Sequence, residues 1–209
     1  MQVTAVVPLK ALAQAKRRLA ADLDVADRLQ LVAWMFARVV DACRRSRHLD
    51  RLLVVAGDDT AAALARAHGV QWVLVEPTPG LAAAMAAGDR VAADAAATLV
   101  VAADLPLITP GELDAVCRAG QDGPCVVVAT TDDGGTGALL RRPPAVVATA
   151  FGERSAAAHL RLAGDAGVRA VRLRLPGLAL DIDTPGQLRA AGLRRHGGDV
   201  AGSWGLRSR

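Results

Sequence analysis

Two hydrophobic patterns alternate along the first two thirds of the chain. Residues 3–8, 51–56, 70–75, the run beginning at Ala97 and residues 125–130 are short, nearly unbroken apolar runs rich in Val and Leu. Such runs, without helical spacing, read as strands buried on both faces. Between them lie stretches with helical periodicity. Residues 27–47 place Leu29, Val32, Phe36, Val39, Val40 and Cys43 on one stripe, and 60–68 end at Gly69, a natural C-terminal cap. Residues 81–95 form a long alanine-rich helix, and 110–119 form a helix entered through Thr109-Pro110-Gly111-Glu112. Strand, helix and short connection repeat in the order expected of a parallel, right-handed wound sheet with helices on both faces.

The later part of the chain changes rhythm. Residues 138–140 resume an apolar strand, 156–166 are helical, and 168–175 alternate apolar residues with arginine, as an edge strand with one wet face would. Residues 178–180 run into Asp181-Ile182-Asp183-Thr184-Pro185, and a last helix reaches about residue 195. The closer strand spacing predicts antiparallel strands at one edge of the sheet. No repeat or linker divides the chain, so residues 1–195 are expected to form a single domain. The Gly/Ser/Arg-rich tail, 196–209, has little to bury and is expected to fray.

Composition narrows the function classes. Apolar residues make up 52% of the 209 and aromatics 2%, so Ala, Val and Leu must fill the core. A base-stacking nucleic-acid binder would need aromatic platforms, which this chain lacks. The net charge of +4 comes from dispersed arginines and suits an anionic small substrate. Cys43, Cys117 and Cys125 show no metal-ligand or redox spacing. No apolar run approaches the roughly 18 residues that cross a bilayer, and no signal-peptide pattern opens the chain. A cytoplasmic protein with no membrane partner is expected. The apolar segment Trp34-Met35-Phe36 suits either the core or a homodimer contact.

Candidate chemistry gathers at strand ends. The run from Ala97 stops at Asp104-Leu105-Pro106, which sets a carboxylate where open α/β sheets bind ligands. The competing reading makes Asp104 a cap for the turn before Thr109. Asp181-x-Asp183 in extended backbone points two carboxylates to one face, and like charges so close require a cation. Magnesium, held by one or two carboxylates while phosphates and water complete its octahedron, suits them. Alternatively, Asp183 caps the helix that Pro185 opens. Lys10, Lys16 and Arg18 follow the first strand on the crevice side and could neutralise a nucleotide triphosphate. The Gly134–Gly137 loop, carrying Thr136, is either an ordinary hairpin connection or a cradle of free amides for an anion, and Phe151-Gly152-x-x-Ser155, with Ser155 in an N-cap position, offers free amides too. A metal, phosphate-binding cations and anion-binding backbone are the parts of a phosphoryl-transfer site acting on an anionic acceptor.

Five motifs together resemble a known family, the guanylyltransferases of deazaflavin coenzyme F-420 biosynthesis. They are Val7-Pro8-Leu9-Lys10 with Ala15-Lys16-Arg17-Arg18-Leu19; Asp104-Leu105-Pro106-Leu107; Gly135-Thr136-Gly137-Ala138-Leu139; Phe151-Gly152-Glu153-Arg154-Ser155 with His159; and Leu180-Asp181-Ile182-Asp183-Thr184-Pro185. The resemblance spans almost the full length. It implies a three-layer α/β/α nucleotidyltransferase fold of the glycosyltransferase-A type, with a mostly parallel sheet and an antiparallel edge. It also implies transfer of GMP from GTP to a phosphorylated three-carbon acid with release of pyrophosphate. The acceptor is phosphoenolpyruvate in bacterial members and 2-phospho-L-lactate in archaeal ones, and 3-phosphoglycerate is a further alternative. By motif, Thr136, Gly152 and Ser155 correspond to acceptor-binding residues, and Asp104, Asp181 and Asp183 to Mg²⁺ ligands. Asp104 and Lys16 are the catalytic candidates, and Lys10, Lys16, Arg18 and Gly80 the nucleotide-binding ones.

Two positions depart from the family pattern. Gly80-Leu81-Ala82 stands where relatives often read Gly-Leu-Asn, and Gly137 stands where many carry asparagine or a second threonine. Rival readings are a related nucleotidyltransferase acting on molybdopterin or a sugar phosphate, and a non-catalytic nucleotide-binding regulatory domain. Pro8-Leu9-Lys10, in place of a glycine-rich loop after the first strand, weighs against the first. Retention of all three aspartates weighs against the second.

Overall fold

The computed structural model describes residues 2–14, 16–78, 80–196 and 203–206. In chain order its elements are β1 (Val3–Leu9), α1 (Val25–Arg45), β2 (Arg51–Ala56), α2 (Asp59–Ala67), β3 (Trp72–Val75), α3 (Leu81–Val91), β4 (Ala97–Val101) and α4 (Pro110–Ala119). There follow β5 (Cys125–Thr130), β6 (Thr136–Arg142), α5 (Ser155–Asp165), β7 (Arg169–Leu173), α6 (Pro176–Ala179), α7 (Pro185–Ala190), β8 (Leu193–His196) and β9 (Ser203–Leu206). Two short 3₁₀ turns, Leu12–Gln14 and Arg17–Leu19, connect β1 to α1.

Seven strands form one sheet in the order β3-β2-β1-β4-β6-β5-β7. All neighbours pair in parallel except β6, which runs antiparallel to both β4 and β5. The antiparallel strand therefore lies inside the sheet, while β7, expected at an edge, is one of its two edge strands, with β3 the other. Alternate residues of each strand feed two cores. On one face Val3, Ala5, Val7, Leu99, Val101 and Val127 pack with Phe36 and Val39 of α1, Ala61 and Ala65 of α2, and Leu113 and Val116 of α4. On the other face Val6, Leu53, Val55, Val100 and Val128 meet Met85 and Ala87 of α3 and Ala156 and Ala163 of α5. Small residues let these helices approach closely: a Cβ at Gly88 would come within 2.8 Å of Val6 Cγ1.

Local signals set most boundaries. Asp24 and Asp58 cap α1 and α2 through the amides of Asp27 (2.8 Å) and Ala61 (2.7 Å). Thr109 with Glu112 and Thr184 with Gln187 form capping boxes. Gly69, at φ 72°, closes α2, and the Val70 amide bonds back to Ala65 O at 3.1 Å, so β3 starts at Trp72 and not at residue 70. The Ala92 amide closes α3 onto Gly88 O, ending it well before residue 95. On α1 the buried stripe includes Leu31 and Met35, whereas Leu29 is exposed, because the helix leans toward a third cluster beside the sheet. Met35 and Phe36 belong to the core.

That third cluster joins Leu19, Leu31, Met35, Ile182, Ala191, Leu193 and Trp204. It corrects two expectations. The last helix stops at Ala190, and Leu193–His196 pair antiparallel with Ser203–Leu206. Residues 196 and 203–206, expected to fray, are thus ordered in a hairpin. Trp204 is 5% exposed, and its indole N–H donates to Asp27 O at 3.3 Å. A buried aromatic with a satisfied donor outweighs the polar composition around it. Residues 197–202 and 207–209 of that tail lie outside the described residues.

Because Trp204 docks the hairpin on this cluster, Trp204→Ala is expected to lower stability in urea denaturation by about 3 kcal/mol. A loss well under 1 kcal/mol would show that the hairpin does not anchor the cluster.

Candidate active site

Strand register brings the chemistry to one edge. β4 runs parallel to β1 and ends at Val101, opposite Ala138 of antiparallel β6, and the Ala102 amide extends the ladder to Gly137 O at 2.9 Å. The carboxyl end of β4 and the amino end of β6 therefore coincide, which sets Asp104 and Thr136 beside one cleft. This cleft, about 530 Å³, is also lined by Pro8, Lys10, Lys16 and Arg18 after β1, by Thr131 and Asp133 of the β5–β6 loop, by Phe151, Gly152, Glu153 and Ser155 ahead of α5, and by Asp181 and Asp183. Its volume falls within the roughly 300–1,000 Å³ of small-molecule sites.

The chain reaches Asp181 by a close fit. A Cβ on Gly137 would collide with the carbonyl oxygen of Leu178, so glycine there lets α6 lie against β6. Asp132 N donates to Ala179 O at 2.7 Å, and Gly177 N to Glu112 Oε1 at 2.6 Å, fixing α6 from both sides. Beyond it Ile182 is fully buried in the third cluster, which leaves its neighbours Asp181 and Asp183 facing the cleft. Leu19 enters the same cluster and brings the Lys16 turn alongside.

Lys16, in left-handed conformation at φ 51°, sets its ammonium between two distant carboxylates, 2.5 Å from Asp104 Oδ2 and 2.7 Å from Asp183 Oδ1. The two carboxylate oxygens can lie no further apart than these bonds laid end to end. Burial works against the charge on Lys16, but Asp104 and Asp183 outweigh it and raise its pKa. Burial likewise opposes ionisation of Asp183, yet Lys16, with Arg18 and Lys10, holds its pKa below the usual value. Among the described residues Asp181 has no such cationic partner. Burial first, then the charges of Asp104, Asp133 and Asp183, push its pKa up to about 6. Gln187 Nε2 donates to Asp181 Oδ1 at 3.2 Å, while Gln187 Oε1 accepts from the Asp183 and Thr184 amides.

Competing readings of the aspartates fail on these contacts. Thr109, and not Asp104, caps α4; Thr184, and not Asp183, caps α7. Ser155 departs from expectation in another way. It is the first residue of α5, after Arg154 in left-handed backbone (φ 52°), and its hydroxyl is not a cap. Ser155 Oγ lies 3.0 Å from Thr136 Oγ1, which lies 3.1 Å from His159 Nδ1. Gly152 makes the turn before α5 at φ 139°, a conformation that glycine adopts freely.

Of the residues singled out in the sequence, Lys10, Lys16, Arg18, Asp104, Thr136, Gly152, Ser155, Asp181 and Asp183 meet at the cleft. Gly80 starts α3 at φ 114° and is not among the lining residues, although its neighbour Leu81 is. Sequence reasoning misses Asp133 and Thr131 as site residues. Asp133 Oδ1 accepts from Thr131 Oγ1 at 2.5 Å and from Gly135 N at 3.0 Å, shaping the loop that carries Thr136. The Asp-Asp-Gly-Gly turn signals the loop but not its approach to Asp181. Among the described residues, no three His, Cys, Asp or Glu side chains are arranged to hold a metal ion; between Asp104 and Asp183 the positive charge is that of Lys16.

Known proteins share both the sequence and the fold. The chain is 41% identical over 191 residues to a phosphoenolpyruvate guanylyltransferase of Rubrobacter xylanophilus, covering 90% of this chain and 92% of that protein. It is 36% identical over 190 residues to the Sphaerobacter thermophilus protein of the same name, covering 90% and 91%. A 3-phospho-D-glycerate guanylyltransferase of Colwellia psychrerythraea is 30% identical over 190 residues, covering 90% of each chain. The fold is shared with 4-diphosphocytidyl-2C-methyl-D-erythritol synthase of Anaerococcus prevotii, at a TM-score of 0.62, 8% identity and coverage of 90% and 93%. It is also shared with a Mycobacterium tuberculosis protein in complex with manganese, at a TM-score of 0.55, 21% identity and coverage of 91% and 97%. Residues 3–204 match the family described as guanylyl transferase, CofC like, and the chain belongs to that family of nucleotidyltransferases.

Proposed function

We propose that this enzyme transfers GMP from GTP to phosphoenolpyruvate. The observation that carries the reading is the meeting, in one cleft, of the Lys16–Asp104–Asp183 charge cluster with the Thr136–Ser155 hydroxyl pair. The first suits a triphosphate and the second an anionic acceptor. A phosphate oxygen of the acceptor attacks the α-phosphorus of GTP, the bond to the β-phosphate oxygen breaks, and pyrophosphate leaves. No general base is needed, because the attacking phosphate is already ionised near neutral pH. Lys10, Lys16 and Arg18 hold the triphosphate and the charge that builds on the leaving pyrophosphate. Thr136, Gly152 and Ser155 hold the acceptor and fix its direction of attack.

The Asp181 carboxylate, disfavoured first by burial and then by the like charges of Asp104, Asp133 and Asp183, is the feature that calls for a divalent cation. Asp104, Asp181 and Asp183 would hold Mg²⁺ as hard oxygen ligands, and the ion would supply electrostatic stabilisation of the reacting phosphates. Such an ion requires Lys16 to release at least part of its present hold on Asp104 and Asp183, and Lys16 is then free to engage a phosphate. The manganese complex of the M. tuberculosis structural neighbour and the acceptor named for the Rubrobacter and Sphaerobacter relatives support these assignments.

A matrix of GTP or ATP against phosphoenolpyruvate, 2-phospho-L-lactate and 3-phosphoglycerate, with Mg²⁺, tests the reading through pyrophosphate release. Turnover is expected for GTP with phosphoenolpyruvate; turnover confined to another acceptor or to ATP would replace it. Asp104→Asn is expected to reduce kcat by at least about 100-fold, in line with the loss of a charged group that stabilises the transition state. Near-normal kcat in that variant removes Asp104 from the metal site.

Burial of Asp181, and after it the charges of Asp104, Asp133 and Asp183, also has a stability consequence. The folded pKa of Asp181, about 6, exceeds its ordinary value of 3.8, so the native state binds the proton more tightly than the unfolded chain. Stability contributed by this group is therefore present below pH 4 and is lost as pH rises through 6. Asp181→Asn should melt above the wild type at pH 8, by roughly 2–4 °C per kcal/mol relieved, and converge with it near pH 4. Equal melting temperatures at pH 8 would show that neither burial nor neighbouring charge penalises the Asp181 carboxylate.

A further inference from the structure

His159 is fully buried on α5, one turn after Ser155, and both of its ring nitrogens are engaged. Nε2 lies 2.9 Å from the backbone nitrogen of Ala150. An amide N–H can only donate, so Nε2 must present a lone pair. Burial, aided by the positive charge of Arg141, lowers the pKa of the ring to about 4, which leaves it neutral at pH 7. A neutral imidazole whose Nε2 accepts carries its proton on Nδ1. That N–H then donates to Thr136 Oγ1, 3.1 Å away. The ring is held further by an edge contact with Phe151, at 5.0 Å between centroids and 72° between planes.

A proton count gives this tautomer a consequence. The Thr136 and Ser155 hydroxyls carry two protons, and one of them is used in the 3.0 Å bond between the two oxygens. With Nδ1 as donor, His159 takes neither proton. One hydroxyl proton remains for the cleft, whichever of the two oxygens bears it, and among the described residues it has no other acceptor. With the opposite tautomer, Thr136 would donate to Nδ1 and Ser155 to Thr136. Both protons would be used, and the pair would show an anion only lone pairs. The Ala150 amide thus determines, through the ring, the polarity of two hydroxyls at the cleft wall.

We infer that His159 is a positioning residue: it holds the Thr136–Ser155 pair as a hydrogen-bond donor to the anionic acceptor, in the neutral Nδ1–H form. The inference rests on the reading of Thr136 and Ser155 as acceptor-binding residues and adds what makes them select an anion. His159 itself touches neither substrate in this arrangement.

Long-range ¹H–¹⁵N correlation spectra of the ¹⁵N-histidine-labelled full-length protein at pH 7 read the tautomer directly, with His159→Asn identifying the signal. The Nδ1–H form is expected, and an Nε2–H form or an imidazolium overturns the inference without any variant having to be active. Kinetics supply the second readout. His159→Leu should raise KM for the acceptor about 5–10-fold, the equivalent of one neutral hydrogen bond, while KM for GTP stays unchanged. His159→Asn retains an N–H near the position of Nδ1 and should restore the acceptor KM to within about twofold. Equal losses in both variants, or a parallel rise in KM for GTP, would mark His159 as a packing residue and overturn the proposal. Thr136→Val and Ser155→Ala separate acceptor binding from the role of the imidazole. If neither changes the acceptor KM, the acceptor-site reading fails; if both raise it while His159→Leu does not, the role of His159 alone fails.

Discussion

The site depends on one ammonium group held between two carboxylates that are 79 residues apart in the chain. Asp104 comes from the end of β4, Asp183 from the segment after α6, and Lys16 from the turn after β1. None of these can be held at such distance by local structure. A buried charge of either sign is costly unless it is paired, so the three side chains stabilise one another's placement. The lysine also leaves the balance incomplete, because Asp181 shares the neighbourhood without a cation of its own among the described residues. That residual negative charge links the architecture to the proposed metal-dependent chemistry.

The cluster of Leu19, Ile182, Met35 and Trp204 is the apolar counterpart of this arrangement. It buries the residues next to Lys16 and between the two aspartates, so the charged groups turn toward the cleft by exclusion. A short extended segment with an apolar centre and acidic flanks achieves what a longer loop could not: both carboxylates point one way because their shared neighbour points the other. On the opposite wall a similar economy operates. Thr136, Ser155 and His159 form a chain of hydrogen bonds ending on a backbone amide, and the rigid backbone orients two hydroxyls that would otherwise rotate freely.

Much of this is readable without the fold. The alternation of apolar runs with helical stripes predicts the wound sheet, because burial on both faces leaves no charged positions in β1, β4 or β5. The helix start at Thr109 and the closure at Gly69 are local hydrogen-bond chemistry and are legible as such, whereas the cap of α7, read from sequence as Asp183, is Thr184. Asp104, Asp181 and Asp183 stand out because an ionised group beside an apolar run needs a reason. The place of Gly137 is visible as a departure from pattern, but its reason, the carbonyl of Leu178 against its Cα, is not.

Sequence by itself determined the strands and helices of the wound sheet, the family motifs and the residue types available for catalysis, since these follow from period, composition and short-range bonding; the terminal strands β8 and β9 it did not. Tertiary structure alone decided that β6 enters the sheet between β4 and β5, that Trp204 returns a polar tail to the core, and that Asp133 crowds Asp181. It also decided that Ser155 faces Thr136 and does not cap its helix. Each of these outcomes depends on contacts between segments far apart in the chain. Local patterns carry no information about which distant partner will be met, and the charge state and hydrogen-bond direction of a side chain depend on that partner.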